Sequence, residues 1–241
     1  LFTTTGQAEL PDPYANLTIP SPGTCLPPPS GSQCTNKSLW CLTGGGNNYT
    51  LNPGTYCGGI SMSANAVTLN AGVYVLAVNS ATSTAGLTVT NGTTVTGNGV
   101  TLVFTSSDGT YPSPGKKSSS VDMMDLAGGT SVTLTPPTTG STAGIVILGD
   151  RSMPLGTSGA SASSPSGSQF TIENGAALNV NGVVYLPNGA LSLVGDGAGT
   201  ANPCVQIIAN VIDMSNSGTF TSNCSANTPS TLIGAIPRLV E

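Results

Sequence analysis

The chain contains no histidine among its 241 residues, so neither a Ser-His-Asp nor a Cys-His nucleophile can be assembled from it. Acid and base chemistry would have to rest on carboxylates, and Asp and Glu together number only ten. Asp122, Asp125 and Asp150 are the three placed so that they could converge, in the way acids gather on one face of a β-helical glycosidase or lyase. The competing account of the same residues is loop carboxylates and Asx turns, which asks nothing of the fold and is preferred. No catalytic residue is assigned, and the chain is read as a non-enzyme needing no cofactor and no metal.

Cysteine is the other reactive side chain, at positions 25, 34, 41, 57, 204 and 224. Without histidine the mixed Cys/His zinc patterns are excluded, and no C-x-x-C supports a site of four cysteines. An even number of cysteines is better explained by disulfides in an oxidising compartment. Cys204 and Cys224 stand apart from the rest and are expected to pair. The first four admit three pairings, of which Cys25–Cys57 with Cys34–Cys41 is preferred.

Hydroxyls and amides carry the rest of the polar chemistry, because only 6% of residues are charged against about 25% in ordinary soluble domains. Five basic residues and a net charge of −5 leave no cationic groove for phosphates, so nucleic acid is excluded as a partner. The Thr-x-Thr phrases at Thr88/Thr90, Thr94/Thr96, Thr133/Thr135 and Thr219/Thr221 put two hydroxyls on one side of a strand, since side chains alternate with period two. Stacked on a flat solenoid such pairs would form the kind of regular array that an ice-binding surface uses. Thr also simply favours strands. Asn-x-Ser/Thr sequons at Asn16, Asn36, Asn48, Asn91 and Asn223 arise readily by chance in so Asn- and Thr-rich a chain.

The elements that would position these groups are short. From Tyr49 onward, alternations such as AVTLNAGVYVLA, TVTGNGVTLVF and LNVNGVVYLPNGALSLV are separated by Asn-Gly, Pro-Gly or Gly-Gly, the signals of strands and turns. No window sustains a helical apolar stripe, and the Gly and β-branched content is poor for helix. The phrase Leu-Asn-x-Gly-x-Tyr at 51–56 returns at 69–74, an internal repeat of the length one solenoid coil uses. The expected fold is all-β: a single parallel β-solenoid over residues 49–241, with long loops near 105–122 and 149–169 and almost no helix. Residues 1–48 are expected to form a Pro-rich irregular arm packed on the first coils and pinned by cysteines.

Within that fold Leu51 should lie over Leu69 and Tyr56 over Tyr74, with Cys57 in the place of Val75. The inward positions are predicted to include Val67, Val89, Val95, Leu102, Leu134, Ile147, Ile172, Val180, Leu191, Leu193 and Ile212. Asn beside Gly at 91–92, 98–99, 174–175, 181–182 and 188–189 should mark corners of positive φ.

Several phrases occur in an order that resembles the C-terminal region of TadG-like proteins of the Flp (Tad-type) pilus-assembly family of bacteria. They are LNPGTYCGGI (51–60), GNGVTLVFT (97–105), YLPNGALSLVG (185–195) and CVQIIANVIDM (204–214), with DPYANLTIPSPGTC (12–25) ahead of them. The resemblance implies a bacterial cell-envelope protein with a membrane-anchoring segment, associated with surface attachment, and it supplies no catalytic residue to carry over.

The function expected is therefore a non-enzymatic structural or adhesive module, extracellular or in the cell envelope. Its partners would be other envelope or pilus components, or surface polysaccharide, with end-to-end self-association as a further option. No apolar run approaches the roughly 20 residues that span a bilayer, so any contact with a membrane is expected only through segments upstream of Leu1.

Overall fold

The computed structural model describes residues 12–28, 40–78, 85–106, 120–156, 167–173, 175–194, 198–199, 204–215 and 219–220. Among these, sixteen strands belong to one sheet, every pairing between them is parallel, and none of the residues is helical. The chain winds as a three-faced solenoid, as the repeated phrase predicts.

The first coil comprises β1 (Trp40–Leu51), which bends across two faces, and β2 (Gly54–Cys57) on the third; the second repeats this with β3 (Ile60–Leu69) and β4 (Gly72–Val78). The third coil is β5 (Ala85–Val89), β6 (Thr94–Gly97) and β7 (Val100–Ser106), and the fourth is β8 (Ser120–Leu126), β9 (Ser131–Leu134) and β10 (Ile145–Gly149). Next come β11 (Gly167–Ile172), β12 (Ala177–Val180) and β13 (Gly182–Val194), then β14 (Ala198–Gly199), β15 (Val205–Ser215) and β16 (Thr219–Phe220). Both β13 and β15 close one coil and open the next. Asn188-Gly189 therefore lies inside β13 rather than at a left-handed corner, and the Asn188 amide instead donates to the Arg151 and Met153 carbonyls. Asn91, Gly92, Gly99, Gly175 and Gly182 do take the expected positive φ.

Parallel register stacks like side chains into columns, which is how coils that could not bury their apolar faces singly form a continuous core. On the first face, Leu42, Met62, Val89, Leu126, Ile172 and Leu193 lie in one column, and Trp40, Ile60, Leu87, Met124, Phe170 and Leu191 in the next. All twelve are buried. Among the described residues the two columns end on Met214 and Ile212, each 50% exposed. Ile212 thus points along the core axis but is not covered, unlike its predicted burial.

The repeated phrase has a specific use. The Tyr56 hydroxyl donates to the Asn52 carbonyl (2.5 Å) and the Tyr74 hydroxyl to the Asn70 carbonyl (2.8 Å), so each Asn-x-Gly-x-Tyr ties its own corner. The two rings stack, 5.8 Å between centroids, and Leu51 pairs with Leu69 as expected. On the third face the register differs from the echo: Thr55 pairs with Val75, and Cys57 with Ala77 rather than Val75.

The third face is apolar on both sides. Its outward residues Val75, Val103, Leu148, Val183 and Tyr185 make a second buried cluster with Tyr14, against which Leu17 and Ile19 also pack. The arm supplies these last three residues, so its described part, residues 12–28, runs along the solenoid rather than lying on the first coils alone. At one end Arg151 donates to the Leu17 carbonyl (3.1 Å), the Tyr14 carbonyl and the Tyr185 hydroxyl (3.0 Å), and Tyr185 donates to Asp12 (2.5 Å). At the other, Leu26 N–H donates to the Thr55 carbonyl (2.8 Å) beside the Cys25–Cys57 disulfide. The first coil begins at Trp40, within the stretch that composition alone assigns to the arm.

Candidate ligand-contact face

The second face is built from the C-terminal half of β1, the C-terminal half of β3, β6, β9, β12, β14 and β16. Alternation turns Val67, Val95, Val132 and Leu178 inward, where all are buried, and the residues on either side of each outward. Two outward columns result. One is Thr50, Thr68, Thr96, Thr133 and Asn179; the other is Asn48, Ala66, Thr94, Ser131 and Ala177, whose backbone pairing continues through Ala198 and Thr219. Thr50, Thr68, Thr94, Thr96 and Thr133 are exposed, and neither column contains a charged or aromatic residue.

Strand geometry sets neighbouring positions about 4.8 Å apart between coils and about 6.8 Å apart along a strand. Threonine is stiff at χ1, so these hydroxyls are ordered before any ligand arrives. The corners beside them are tied by amides: Asn65 donates to Asn48 (3.0 Å) and Asn70 to Asn52 (2.8 Å).

The predicted Thr-x-Thr phrases divide. Thr94 and Thr96 share the second face, and Thr133 joins them. Thr135 lies beyond its strand, where its hydroxyl bonds the Asn98 side chain and accepts from Gly99 N–H (3.3 Å). Thr88 and Thr90 belong to the first face, where Thr88 pairs with Asp125, and Thr221 lies outside the described residues. Thr50 and Thr68 complete the column without belonging to any Thr-x-Thr phrase. Their signal was available, because each immediately precedes the leucine of the repeated phrase.

Asp125 and Asp150 have separate surroundings, and the Asp122 side chain lies outside the described residues. Asp150 accepts from the Thr105 hydroxyl (2.7 Å) and from Ser152 N–H (2.8 Å), capping the turn after β10 on the third face. Asp125 is on the first face, in register with Thr88 and Thr171. The Asp122 backbone pairs with Ala85 and Gln169. Among the described residues no group of three or more Cys, Asp or Glu is placed to hold a metal ion.

Asp125 is half-buried, its Oδ1 has no hydrogen-bond partner, and desolvation with the nearby Glu173 charge pushes its carboxyl up from 3.8 to about 6. Between those values the native state keeps a proton that the unfolded chain has released, so stability falls as pH rises through that window and stays lowered above it. Asp125→Asn is expected to stabilise the fold at pH 7 by about 1–2 kcal/mol, after allowance for solvent screening, and to leave it unchanged near pH 4. Thermal melts at the two pH values check this; an equal shift at both would rule out the carboxylate as its source.

The Cys25–Cys57 disulfide, with Cα atoms 5.5 Å apart, links the arm to β2. Cys41 and Cys204 are disulfide-bonded as well; Cys34 and Cys224, their expected partners, lie outside the described residues. Of the sequons, Asn16, Asn48 and Asn91 are exposed, though the Asn91 amide is engaged with the Ser63 hydroxyl (2.5 Å).

Comparison of the chain with family models, with curated proteins and with solved structures finds no match to any of the three.

Proposed function

We propose that the chain is a non-catalytic structural and adhesive module of the extracellular space or bacterial cell envelope, akin to the exposed part of a Tad pilus-assembly protein, and that it makes contact through its second face. The observation that carries this reading is the uncharged, in-register column of exposed hydroxyls at Thr50, Thr68, Thr96 and Thr133, with a second uncharged column of Asn, Thr, Ser and Ala beside it. Such a surface offers many weak hydrogen bonds in a fixed array, suited to an extended partner such as a surface polysaccharide or another envelope component. A disulfide-tied arm is compatible with an oxidising location.

The test replaces Thr68 with Glu, Thr96 with Lys and Thr133 with Glu, so that neighbours in the column carry opposite charges. Exposed positions of this kind change stability by only about 0.5 kcal/mol each, so folding is expected to survive. Retention of the purified chain on envelope polysaccharide and on isolated envelope fractions should fall at least tenfold. Equal retention of the triple variant and the parent would remove the second face from the function.

Ice binding is a second reading, favoured by the alignment of Thr50, Thr68, Thr96 and Thr133 in one exposed column. It predicts thermal hysteresis and suppressed ice recrystallisation that the same triple variant abolishes. Freezing behaviour no different from that of an inert protein at equal concentration would end it.

A further inference from the structure

We propose that Asp125, Thr171 and Glu173 form a calcium site on the outer side of the first face. Register sets two of the three side by side. Thr171 is the ladder partner of Asp125, so on parallel strands about 4.8 Å apart their side chains project the same way. That way is outward, because the residues flanking each of them, Met124 and Leu126 in β8 and Phe170 and Ile172 in β11, are core. Glu173 follows two positions after Thr171, at the end of β11, where its N–H still bonds the Leu126 carbonyl (2.9 Å). Its carboxylate is near enough for its charge to act on that of Asp125.

Polar atoms without partners point to the ligand. Thr171 is 1% exposed although it faces away from the core, and its hydroxyl, the one polar atom of its side chain, has no hydrogen-bond partner. The Asp125 Oδ1 beside it is enclosed and unpaired as well. Such atoms cost free energy when left bare, and native proteins satisfy them with water or an ion. Among the described residues Arg151 is the one basic side chain, and it is committed to the arm and to Tyr185 on the third face. Two carboxylates and a hydroxyl, with no nitrogen or sulfur among them, are hard donors that suit calcium or magnesium rather than zinc or copper. Calcium tolerates the irregular shell that a strand ladder and bound water provide, whereas magnesium demands an octahedron. With two charged ligands the affinity belongs to the weak class of extracellular modules, a Kd on the order of 0.1–1 mM. The cation would offset the repulsion between Asp125 and Glu173 and tie β8 to β11.

Calcium chloride alone is the probe, titrated at pH 7 into the full 241-residue chain after chelation. Calorimetry should show saturable binding, and about 10 mM calcium should raise the melting temperature by about 3–10 °C. Magnesium at the same concentration should give a clearly smaller shift, because it sheds its water reluctantly. Asp125→Asn and Glu173→Gln should each weaken calcium binding by about tenfold or more. Thr171→Val keeps the shape of the side chain, removes the hydroxyl, and should weaken binding by about threefold or more. In chelator Asp125→Asn and Thr171→Val should melt no lower than the parent, since neither removes a hydrogen bond at the unpaired atoms; a lost response is then not lost folding. A parent chain unmoved by calcium would mean that water alone satisfies these atoms, and would overturn the proposal. So would an equal response to magnesium, or a calcium response that Asp125→Asn and Thr171→Val both retain. None of these outcomes bears on polysaccharide retention by the second face.

Discussion

Replacing both Cys25 and Cys57 with Ser is expected to lower the stability of the fold by about 3–4 kcal/mol, the loop-closure value for a cross-link of this span in the chain-entropy model. The two residues are separated by 32 positions, and the loop they close contains the passage from the arm into the first coil. The consequence should exceed the entropy alone, because the arm covers an apolar surface. Without the disulfide, the arm keeps its bonds at the Arg151 end and the Leu26 and Gly23 contacts with Thr55. Fraying from the Cys25 end would bare Val75 and Val103 on the outer side of the third face. Urea unfolding of the double variant should show the lowered midpoint, and an apolar dye should bind it before the main transition. A midpoint within about 1 kcal/mol of the parent's would mean that packing of the arm, and not its covalent tie, holds the first coil.

How legible this architecture is from residues alone differs from face to face. The solenoid itself is plain in the repeated phrase, since Leu51 over Leu69 and the stacked Tyr56 and Tyr74 follow from one echo. The echo misleads on the third face because equal spacing of phrases does not guarantee equal turn lengths: Gly54 pairs with Tyr74 and not with Gly72. Two residues more in the second coil's turn carry Cys57 onto Ala77.

The path of the arm could not be read from its own residues, because Tyr14, Leu17 and Ile19 are scattered among prolines and show no periodicity. The signal was in the strands it covers. IVIL at 145–148 and VVYL at 183–186 are apolar on both parities, which is the mark of strands buried on both faces, and something had to lie outside them. The hydroxyl face was half legible. Period-two alternation identified Thr94 and Thr96 as neighbours, but which coil's threonine lies beside them depends on register, and register is set by corner lengths that vary along this chain. The acids were least legible: whether Asp125 meets Asp150 or Glu173 depends on which of three faces each occupies, and neither composition nor spacing carries that.

Phe104→Ala is expected to cost about 3–5 kcal/mol, the range for emptying a fully buried aromatic site. Phe104 and Phe170 are both wholly buried and meet edge to face, 5.1 Å between centroids, an arrangement worth something beyond area alone. Each ring occupies ground left by a glycine. A Cβ at Gly86 would lie 3.0 Å from the Phe104 ring and 2.7 Å from the Met123 carbonyl, and one at Gly189 would lie 2.9 Å from the Phe170 ring. The glycines thus leave the space that the rings fill, and Phe104→Ala would open a cavity there. Phe104→Leu should recover part of the loss, whereas Gly86→Ala should destabilise even with the ring intact. Urea unfolding of the three variants checks the order, and a Phe104→Ala cost below about 1.5 kcal/mol would show that the coils close over the gap. Because each coil contacts chiefly its neighbours, faster amide exchange should concentrate in β5, β7 and β8 and fade toward β1 and β15.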